Sequence, residues 1–231
     1  MKKIIVADDE ELIRRLVSDF LTAEGYEPLQ ADDGDVALKL FEENPDTALL
    51  ILDIMMPNMD GWEVCRRIRE FSNVPIIMLT ARSQEYDQLA SFDAGADDFV
   101  TKPCSPSVLM KRVAALLRRG EGGTSNTPKV LSLDDLKLDS TAHEVWLDGK
   151  SISLTIKEYS ILQKLLAAPG KVFSREQMLE DIWGFDFEGD ARTIDSHVAR
   201  LRTKLGDWGT HHIKTIYGTG YKLEVSKNDE K

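Results

Sequence analysis

Five side chains suited to phosphoryl chemistry follow the apolar runs of the N-terminal half of the chain: Asp8, Asp9, Asp53, Thr80 and Lys102. If these runs are strands of one parallel sheet, their carboxyl ends meet at one edge and bring the five side chains together. Three carboxylates held close to one another repel, which raises their pKa values. A hard divalent cation relieves this repulsion, and Mg²⁺ typically takes one or two carboxylates together with waters and phosphate oxygens.

The lysine and the threonine indicate what such a cation site would bind. An ammonium stabilises charge on a transferring phosphoryl group, and a hydroxyl can donate to a bound oxygen. A phosphohydrolase with a covalent aspartyl intermediate is the competing class of protein. Those enzymes carry a second acid two residues after the nucleophile, where this chain has Met55. No general acid is therefore placed to turn over a separate substrate, and we do not expect an enzyme of that class.

Residues 1–119 show the pattern of alternating strands and helices. The apolar runs cover residues 3–7, 48–52, 75–79 and 99–100. After the first run, apolar side chains recur at helical spacing from Leu12 to Leu21. Fully apolar strands that alternate with helices are typical of a parallel sheet covered on both faces. We therefore predict a doubly wound, five-stranded parallel α/β domain.

A stretch without apolar side chains separates this domain from a second one. It covers residues 118–128, is rich in glycine and small polar residues, and ends in Pro128. Such a composition is typical of a linker. We predict domains over residues 1–119 and 130–227, with the linker at 120–129.

The second domain has an α+β pattern. Alternating stretches on both sides of residue 140 lead to Asp148-Gly149, a dipeptide that favours a hairpin turn. Capping boxes at Thr155 and Ser174 predict the starts of two helices. A third helix covers about residues 191–205, where Gly206 ends it, and a hairpin bent by glycines follows at 213–225.

The third helix is basic on an acidic protein. The chain has 231 residues and a formal net charge of −11, yet residues 191–222 contain six basic and two acidic side chains. The basic or titratable side chains of this helix are Arg192, His197, Arg200, Arg202 and Lys204. An apolar stripe along the other side would leave this polar face free to enter a DNA major groove. A solvated basic face that binds nothing is the alternative.

The sequence also predicts where the protein works. No apolar run approaches the ~20 residues that a membrane helix needs, and the N-terminus lacks the pattern of a signal peptide. Two cysteines, Cys65 and Cys104, are too few for a disulfide framework. We expect a cytoplasmic protein with no membrane partner.

The motifs resemble those of a known family. Residues 4–10, 50–57, 75–81 and 95–103 are similar to the receiver domain of two-component response regulators. Residues 154–159, 192–198 and 217–221 are similar to the winged helix-turn-helix effector domain of the OmpR/PhoB subfamily. The resemblance implies a DNA-binding response regulator that is phosphorylated by a sensor histidine kinase.

The resemblance assigns a role to each receiver residue. Asp53 is implied to be the phosphoacceptor, with Thr80 contacting the phosphoryl group and Lys102 pairing with it. Phe99 takes the place of the switch aromatic, and Pro103 follows a cis peptide bond. The implied Mg²⁺ ligands are Asp8, Asp9, Asp53 and the backbone carbonyl of Met55, with Asp9 favoured over Asp8 as the direct ligand.

In the second domain the resemblance implies contacts with double-stranded DNA at tandem half-sites. The implied contact residues are Arg192, Thr193, His197, Arg200, Arg202, Lys204, Tyr217 and Thr219. Tyr217 stands where relatives often have an arginine, which implies a different contact of the wing with DNA. Residues 184–190 correspond to a loop that contacts RNA polymerase in this family, although a plain connecting loop is the alternative.

Phosphorylation is expected to promote a homodimer through residues 85–119. Gln88 and Val108 replace one charged pair of the family's interface, so neither charge is left alone. Asp97 or Asp98 with Arg112, and also Arg119, could still form ion pairs. Because exposed ion pairs contribute only ~0–1 kcal/mol each, the loss of one pair does not prevent a dimer.

Overall fold

The computed structural model describes residues 1–80, 94–119, 130–184, 187 and 189–225, without the side chains of residues 118 and 119. The chain divides into two compact units, Met1–Glu121 and Gly122–Lys231. Residues 120–129, predicted to be the linker, lie outside the described part. None of the described helices is long and apolar enough to span a membrane.

The N-terminal unit is built on a five-stranded sheet with the order β2-β1-β3-β4-β5, and every neighbouring pair is parallel. Its strands are β1 (Lys3–Ala7), β2 (Glu27–Ala31), β3 (Leu49–Asp53), β4 (Ile76–Thr80) and β5 (Asp98–Thr101). Its described helices are α1 (Glu11–Ala23), α2 (Gly34–Glu43), α3 (Gly61–Arg69) and α4 (Pro106–Arg119). The predicted α/β fold is confirmed.

Burial explains which strands the apolar runs revealed. Strands β3 and β4 are buried along their whole length, because helices cover the sheet. Strand β2 was not predicted from an apolar run, since it lies at the edge and its side chains Glu27 and Gln30 are exposed.

The C-terminal unit is the predicted winged helix domain. A four-stranded antiparallel sheet contains β6 (Val130–Leu133), β7 (Leu136–Asp139), β8 (Glu144–Leu147) and β9 (Lys150–Ser151). Three helices follow: α5 (Ile156–Leu166), α6 (Arg175–Trp183) and α7 (Thr193–His212). A three-stranded sheet with the order β10-β12-β11 contains β10 (Val172–Ser174), β11 (Ile213–Ile216) and β12 (Gly220–Leu223).

Local signals place these elements. Both predicted capping boxes are present, at Thr155 and at Ser174. Gly206 has a positive φ of 56° and interrupts α7, as predicted, but a further helical segment continues to His212. That segment buries Trp208, which is 9% exposed, against the core of the unit. The helix resumes because the core takes up this large apolar side chain.

Candidate functional site

The carboxyl ends of the parallel strands bring together the predicted acidic cluster. One oxygen each of Asp8, Asp9 and Asp53 lies within 4.8 Å of the others. Asp8 and Asp53 are buried, whereas Asp9 is exposed. Asp8 follows β1 and Asp53 ends β3, its neighbour in the sheet. The pairing of parallel strands therefore accounts for the cluster.

Lys102 is the cation of this cluster. Its Nζ lies 2.7 Å from Asp8 Oδ2 and 3.3 Å from Asp53 Oδ2. The backbone N–H of Lys102 donates to the carbonyl of Thr80 at 2.6 Å, which joins β5 to the end of β4. Asp8 and Asp53 therefore share one ammonium, and Glu10 Oε1 lies 4.0 Å from it. With Asp9 added, the cluster keeps an excess of negative charge.

The oxygens are not used equally. Asp8 Oδ1 accepts a hydrogen bond from the backbone N–H of Glu10 at 3.0 Å, while its Oδ2 pairs with Lys102. Asp53 Oδ1 is buried and accepts no hydrogen bond from the described residues. Such an oxygen is costly unless a ligand satisfies it. The donor set, an open buried carboxylate beside an exposed one, fits a hard cation such as Mg²⁺.

Burial and charge shift the ionisation of the central groups. Burial raises the pKa of the Asp53 carboxyl, and the nearby charge of Asp8 raises it further, against the opposing effect of Lys102. Burial alone would lower the pKa of the Lys102 ammonium, but Asp8 and Asp53 outweigh it and the pKa is raised. Lys102 therefore stays charged at neutral pH.

Two residues outside the predicted set support the loops of the cluster. Arg14 Nη1 on α1 donates to the carbonyl of Asp8 at 2.7 Å. A Cβ on Gly61 would lie 2.2 Å from the carbonyl oxygen of Asp53, so only glycine lets α3 begin this close to β3. Asp60 caps α3 by accepting from the N–H of Glu63 at 2.7 Å. Gly61 belongs to a recognisable motif, whereas no sequence pattern identifies Arg14.

Of the remaining receiver residues, Thr80 and Met55 lie at or after the carboxyl end of a strand, whereas Phe99 lies within β5. Thr80 ends β4, is 3% exposed, and pairs in register with Thr101 of β5. Phe99 lies in β5 and is buried. The side chain of Met55 is 58% exposed in the loop after β3. The peptide bond between Lys102 and Pro103 is cis, as predicted.

One residue predicted for the dimer interface, Asp97, is buried within the chain. Asp97 is completely buried, pairs with Arg69 Nη2 at 2.8 Å and accepts from the N–H of Ile76. Its carboxylate is thus used within its own chain, and the predicted ion pair of Asp97 at a dimer interface stays a prediction.

The other interface residues have different positions. Asp98 and Arg112 form an ion pair at 3.0 Å within the chain. Val108 is 43% exposed on α4. Gln88 and the side chain of Arg119 lie outside the described part of the chain.

Helix α7 has the predicted apolar stripe, but two predicted DNA contacts lie inside the unit. Thr193 and His197 are both 0% exposed. The His197 ring lies 5.1 Å from the Trp183 ring, and its Nδ1 accepts from Arg200 Nη2 at 3.0 Å. Their side chains are buried because their positions border the apolar stripe, and their contact with DNA stays a prediction.

Three basic side chains of α7 have partners within the domain. Glu158, which is completely buried, pairs with Lys204 at 2.8 Å and with Arg200 at 3.5 Å. Arg202 donates to the carbonyl of Ile213 at 2.6 Å. These contacts hold α7 against α5 and β11. Arg192, the residue before α7, is exposed and pairs with Asp190 at 3.2 Å.

The hairpin of β11 and β12 forms a protruding wing. Its turn carries Tyr217, which is 93% exposed, and Thr219, which is also exposed. Gly218 has a positive φ of 72° in this turn. At the base of the wing, the hydroxyl of Tyr221 donates to Asp195 at 2.6 Å, which fixes the wing to α7. Tyr217 and Thr219 are therefore accessible to a ligand.

Comparisons with known proteins agree with this architecture. Residues 4–114 match the family described as "Response regulator receiver domain", and residues 149–223 match "Transcriptional regulatory protein, C terminal". The transcriptional regulatory protein SrrA of Staphylococcus aureus is 43% identical, over 99% of this chain and 98% of its own length.

Two solved structures cover nearly the whole chain. The response regulator DrrB of Thermotoga maritima, an OmpR/PhoB homologue, is 35% identical with a TM-score of 0.51, over 97% of this chain and 99% of its own. A mutant of RitR is 24% identical with a TM-score of 0.72, over 97% of this chain and 100% of its own, and shows the fold alone.

Proposed function

The chain belongs to the OmpR/PhoB-type response regulators, the DNA-binding transcriptional regulators of two-component systems, and we propose that Asp53 accepts a phosphoryl group from a phosphohistidine of a sensor histidine kinase. The observation that carries this proposal is the open, buried carboxylate oxygen of Asp53 beside Lys102. The family match supports it, because Asp53 lies within the residues that match the receiver.

In the transfer, an oxygen of Asp53 attacks phosphorus, one P–O bond forms and the P–N bond to the kinase histidine breaks. The histidine nitrogen keeps the electron pair. Lys102 pairs with the phosphoryl oxygens, and the hydroxyl of Thr80 donates to one of them. Asp8, Asp9, Asp53 and the Met55 carbonyl would hold Mg²⁺, which supplies positive charge that stabilises the transferring group. The receiver promotes this transfer, and the later hydrolysis, only at its own Asp53.

Phosphorylation then acts on transcription through pairing of two chains. In this proposal the receiver dimerises through residues 85–119, with Phe99 as the aromatic that responds to the phosphoryl group. Two effector domains then bind tandem half-sites on double-stranded DNA. The loop at 184–190, part of which lies outside the described residues, contacts RNA polymerase. The protein performs these steps in the cytoplasm.

Chemical labelling tests the proposal. The full-length chain is incubated with a small phosphodonor and Mg²⁺, and the modified residue is identified by mass spectrometry. We expect one label, on Asp53, which D53A abolishes and D9A greatly weakens. Asp19, an exposed carboxylate on α1, provides the control, and D19A should label normally. Stoichiometric labelling of D53A would overturn the proposal.

A further inference from the structure

The face of α7 that points away from the core is small and uncharged at its centre. Ile194, Val198 and Leu201 form the buried stripe of the helix. On the opposite side, Ala199 and Thr203 are both exposed. Because they are four residues apart, they lie one above the other on the same face.

Three cations of the helix flank this centre, while Arg192, which precedes the helix on the same face, pairs with Asp190 at 3.2 Å. Arg200 and Lys204 lean towards the buried Glu158, and Arg202 donates to the carbonyl of Ile213. Because of these contacts, the positive charges of the three side chains lie along the two edges of the face. The centre of the face therefore offers no guanidinium or ammonium of the kind that reads guanine.

The hydroxyl of Thr203 is also used within the helix. Its Oγ1 donates to the carbonyl oxygen of Ala199 at 3.1 Å. With the hydroxyl turned to the backbone, the γ-methyl is the group that Thr203 presents outward. Ala199 presents its β-methyl one turn earlier. The two residues thus form a pair of methyl groups on an exposed helix face.

We propose that Ala199 and Thr203 are specificity-determining residues that contact the C5 methyl groups of thymines in the major groove. The proposal rests on the role of α7 as the DNA-reading helix. Apolar contact with the thymine methyl is the way in which alanine and threonine methyl groups discriminate between bases. One helical turn separates the two methyl groups by about 6 Å, since an α-helix rises about 1.5 Å per residue. Base pairs are stacked about 3.4 Å apart, so the two thymines lie one or two base pairs apart.

Deoxyuridine provides the test, because it differs from thymidine only in lacking the C5 methyl group. The full-length chain, treated with a phosphodonor and Mg²⁺, enriches a duplex from a random-sequence pool. Each thymine of that duplex is then replaced singly by deoxyuridine, and the dissociation constants are compared. We expect two positions in each half-site at which the replacement weakens binding about fourfold, the factor that corresponds to one buried methyl group.

Two variants at one position identify the residue that makes the contact. T203S keeps the hydroxyl and removes the methyl group, whereas T203V keeps a methyl group and removes the hydroxyl. We expect T203S to lose the sensitivity to deoxyuridine at one of the two positions and T203V to retain it. Circular dichroism of both variants checks that α7 is folded.

The outcomes distinguish the proposed thymine contact from DNA binding by α7 in general. Binding of the enriched duplex with no effect of deoxyuridine inside the half-sites would overturn the thymine contact and leave DNA binding intact. An equal effect in the wild type and in T203S would overturn the assignment to Thr203. Failure to enrich any sequence would overturn both the contact and the role of α7.

Discussion

In the receiver, a cluster of three carboxylates contains one ammonium, whereas in the effector domain a single buried carboxylate faces two cations. Lys102 pairs with Asp8 and Asp53 in the first cluster, Asp9 lies beside these two carboxylates, and Asp53 keeps an oxygen without a hydrogen bond from the described residues. In the second cluster, Glu158 accepts from the N–H of Thr155 at 2.9 Å and pairs with Lys204 and Arg200.

The difference shows that the same types of charged side chain have different roles, depending on which charge is in excess. An excess of negative charge around Lys102 makes a site for a cation and a phosphoryl group. An excess of positive charge lies around Glu158, on the helix that we propose binds DNA, a polyanion. Both clusters contain a buried carboxylate oxygen that accepts no hydrogen bond from the described residues, Asp53 Oδ1 and Glu158 Oε1. They differ in charge balance: the first keeps a negative excess that a cation can neutralise, whereas in the second Arg200 and Lys204 outnumber the single carboxylate. Substitutions that remove one charge should therefore have opposite effects on the two domains.

The largest effect on stability is expected at the cluster of Glu158, Arg200 and Lys204. Glu158→Gln keeps an oxygen that can cap α5 but leaves Arg200 and Lys204 without their counter-charge. We expect the free energy of unfolding of the effector domain to fall by about 3 kcal/mol, because removing one partner strands the others. Urea denaturation followed by tryptophan fluorescence measures it, since three of the four tryptophans, Trp146, Trp183 and Trp208, lie in this domain and Trp62 alone lies in the receiver.

A matched surface pair provides the control for this prediction. Asp181 is 58% exposed and pairs with Lys164 in the same domain. We expect D181N to cost less than about 1 kcal/mol, as exposed pairs do. Equal losses of unfolding free energy in the two variants would contradict the view that the buried Glu158 cluster stabilises the fold more than a surface pair does.

The opposite effect, an increase in stability, is expected at the cluster of Asp8, Asp9 and Asp53. Asp53→Asn removes a negative charge that is disfavoured by its burial and by repulsion from Asp8. In buffer free of Mg²⁺ at pH 7, we expect the receiver to become more stable by about 1 kcal/mol, the usual size of a single substitution's effect. Hydrogen–deuterium exchange of β3 and β4 peptides measures the change in this domain alone.

Asp60 gives the comparison for the receiver. It lies in the same loop and caps α3, a position where asparagine serves as well as aspartate. D60N should therefore leave the exchange of β3 and β4 nearly unchanged. Faster exchange in D53N would show that the charge of Asp53 stabilises the receiver and would contradict the prediction.

The smallest effect concerns the response of the effector domain to acid. Burial lowers the pKa of His143, whose ring stacks on Tyr159 with centroids 4.1 Å apart. The unfolded chain, with a histidine pKa of about 6.5, therefore binds the proton first as the pH falls. The stabilising contribution is complete above that pH and is lost as the pH falls through the lower, folded-state pKa.

His143→Asn tests this dependence. Asparagine tolerates the positive φ of 58° at this position and does not titrate. We expect unfolding free energies measured from pH 7.5 to pH 5 to decline less steeply in the variant, by a fraction of a kcal/mol. Identical slopes in the two proteins would contradict the role of His143.

The sequence by itself determined the fold class and the members of the receiver site. Parallel strands end at one edge of a sheet, so residue types at the ends of apolar runs were enough to group Asp8, Asp53 and Lys102. The positions of the turns and helix starts were also readable, because capping boxes and glycines act over three or four residues. The edge strand β2 was missed, since an exposed strand has no apolar run to mark it.

Only the tertiary structure decided which polar side chains are buried and which partners they pair with. Glu158 and Lys204 are 46 residues apart, and no local pattern predicts that they pair. The same holds for the contact of Arg14 with the Asp8 carbonyl and for the burial of Asp97 against Arg69. For His197, helical spacing from Ile194 and Leu201 already indicated the inner face, but residue type was given more weight. Long-range packing sets these outcomes, because burial depends on what the rest of the chain places against each side chain.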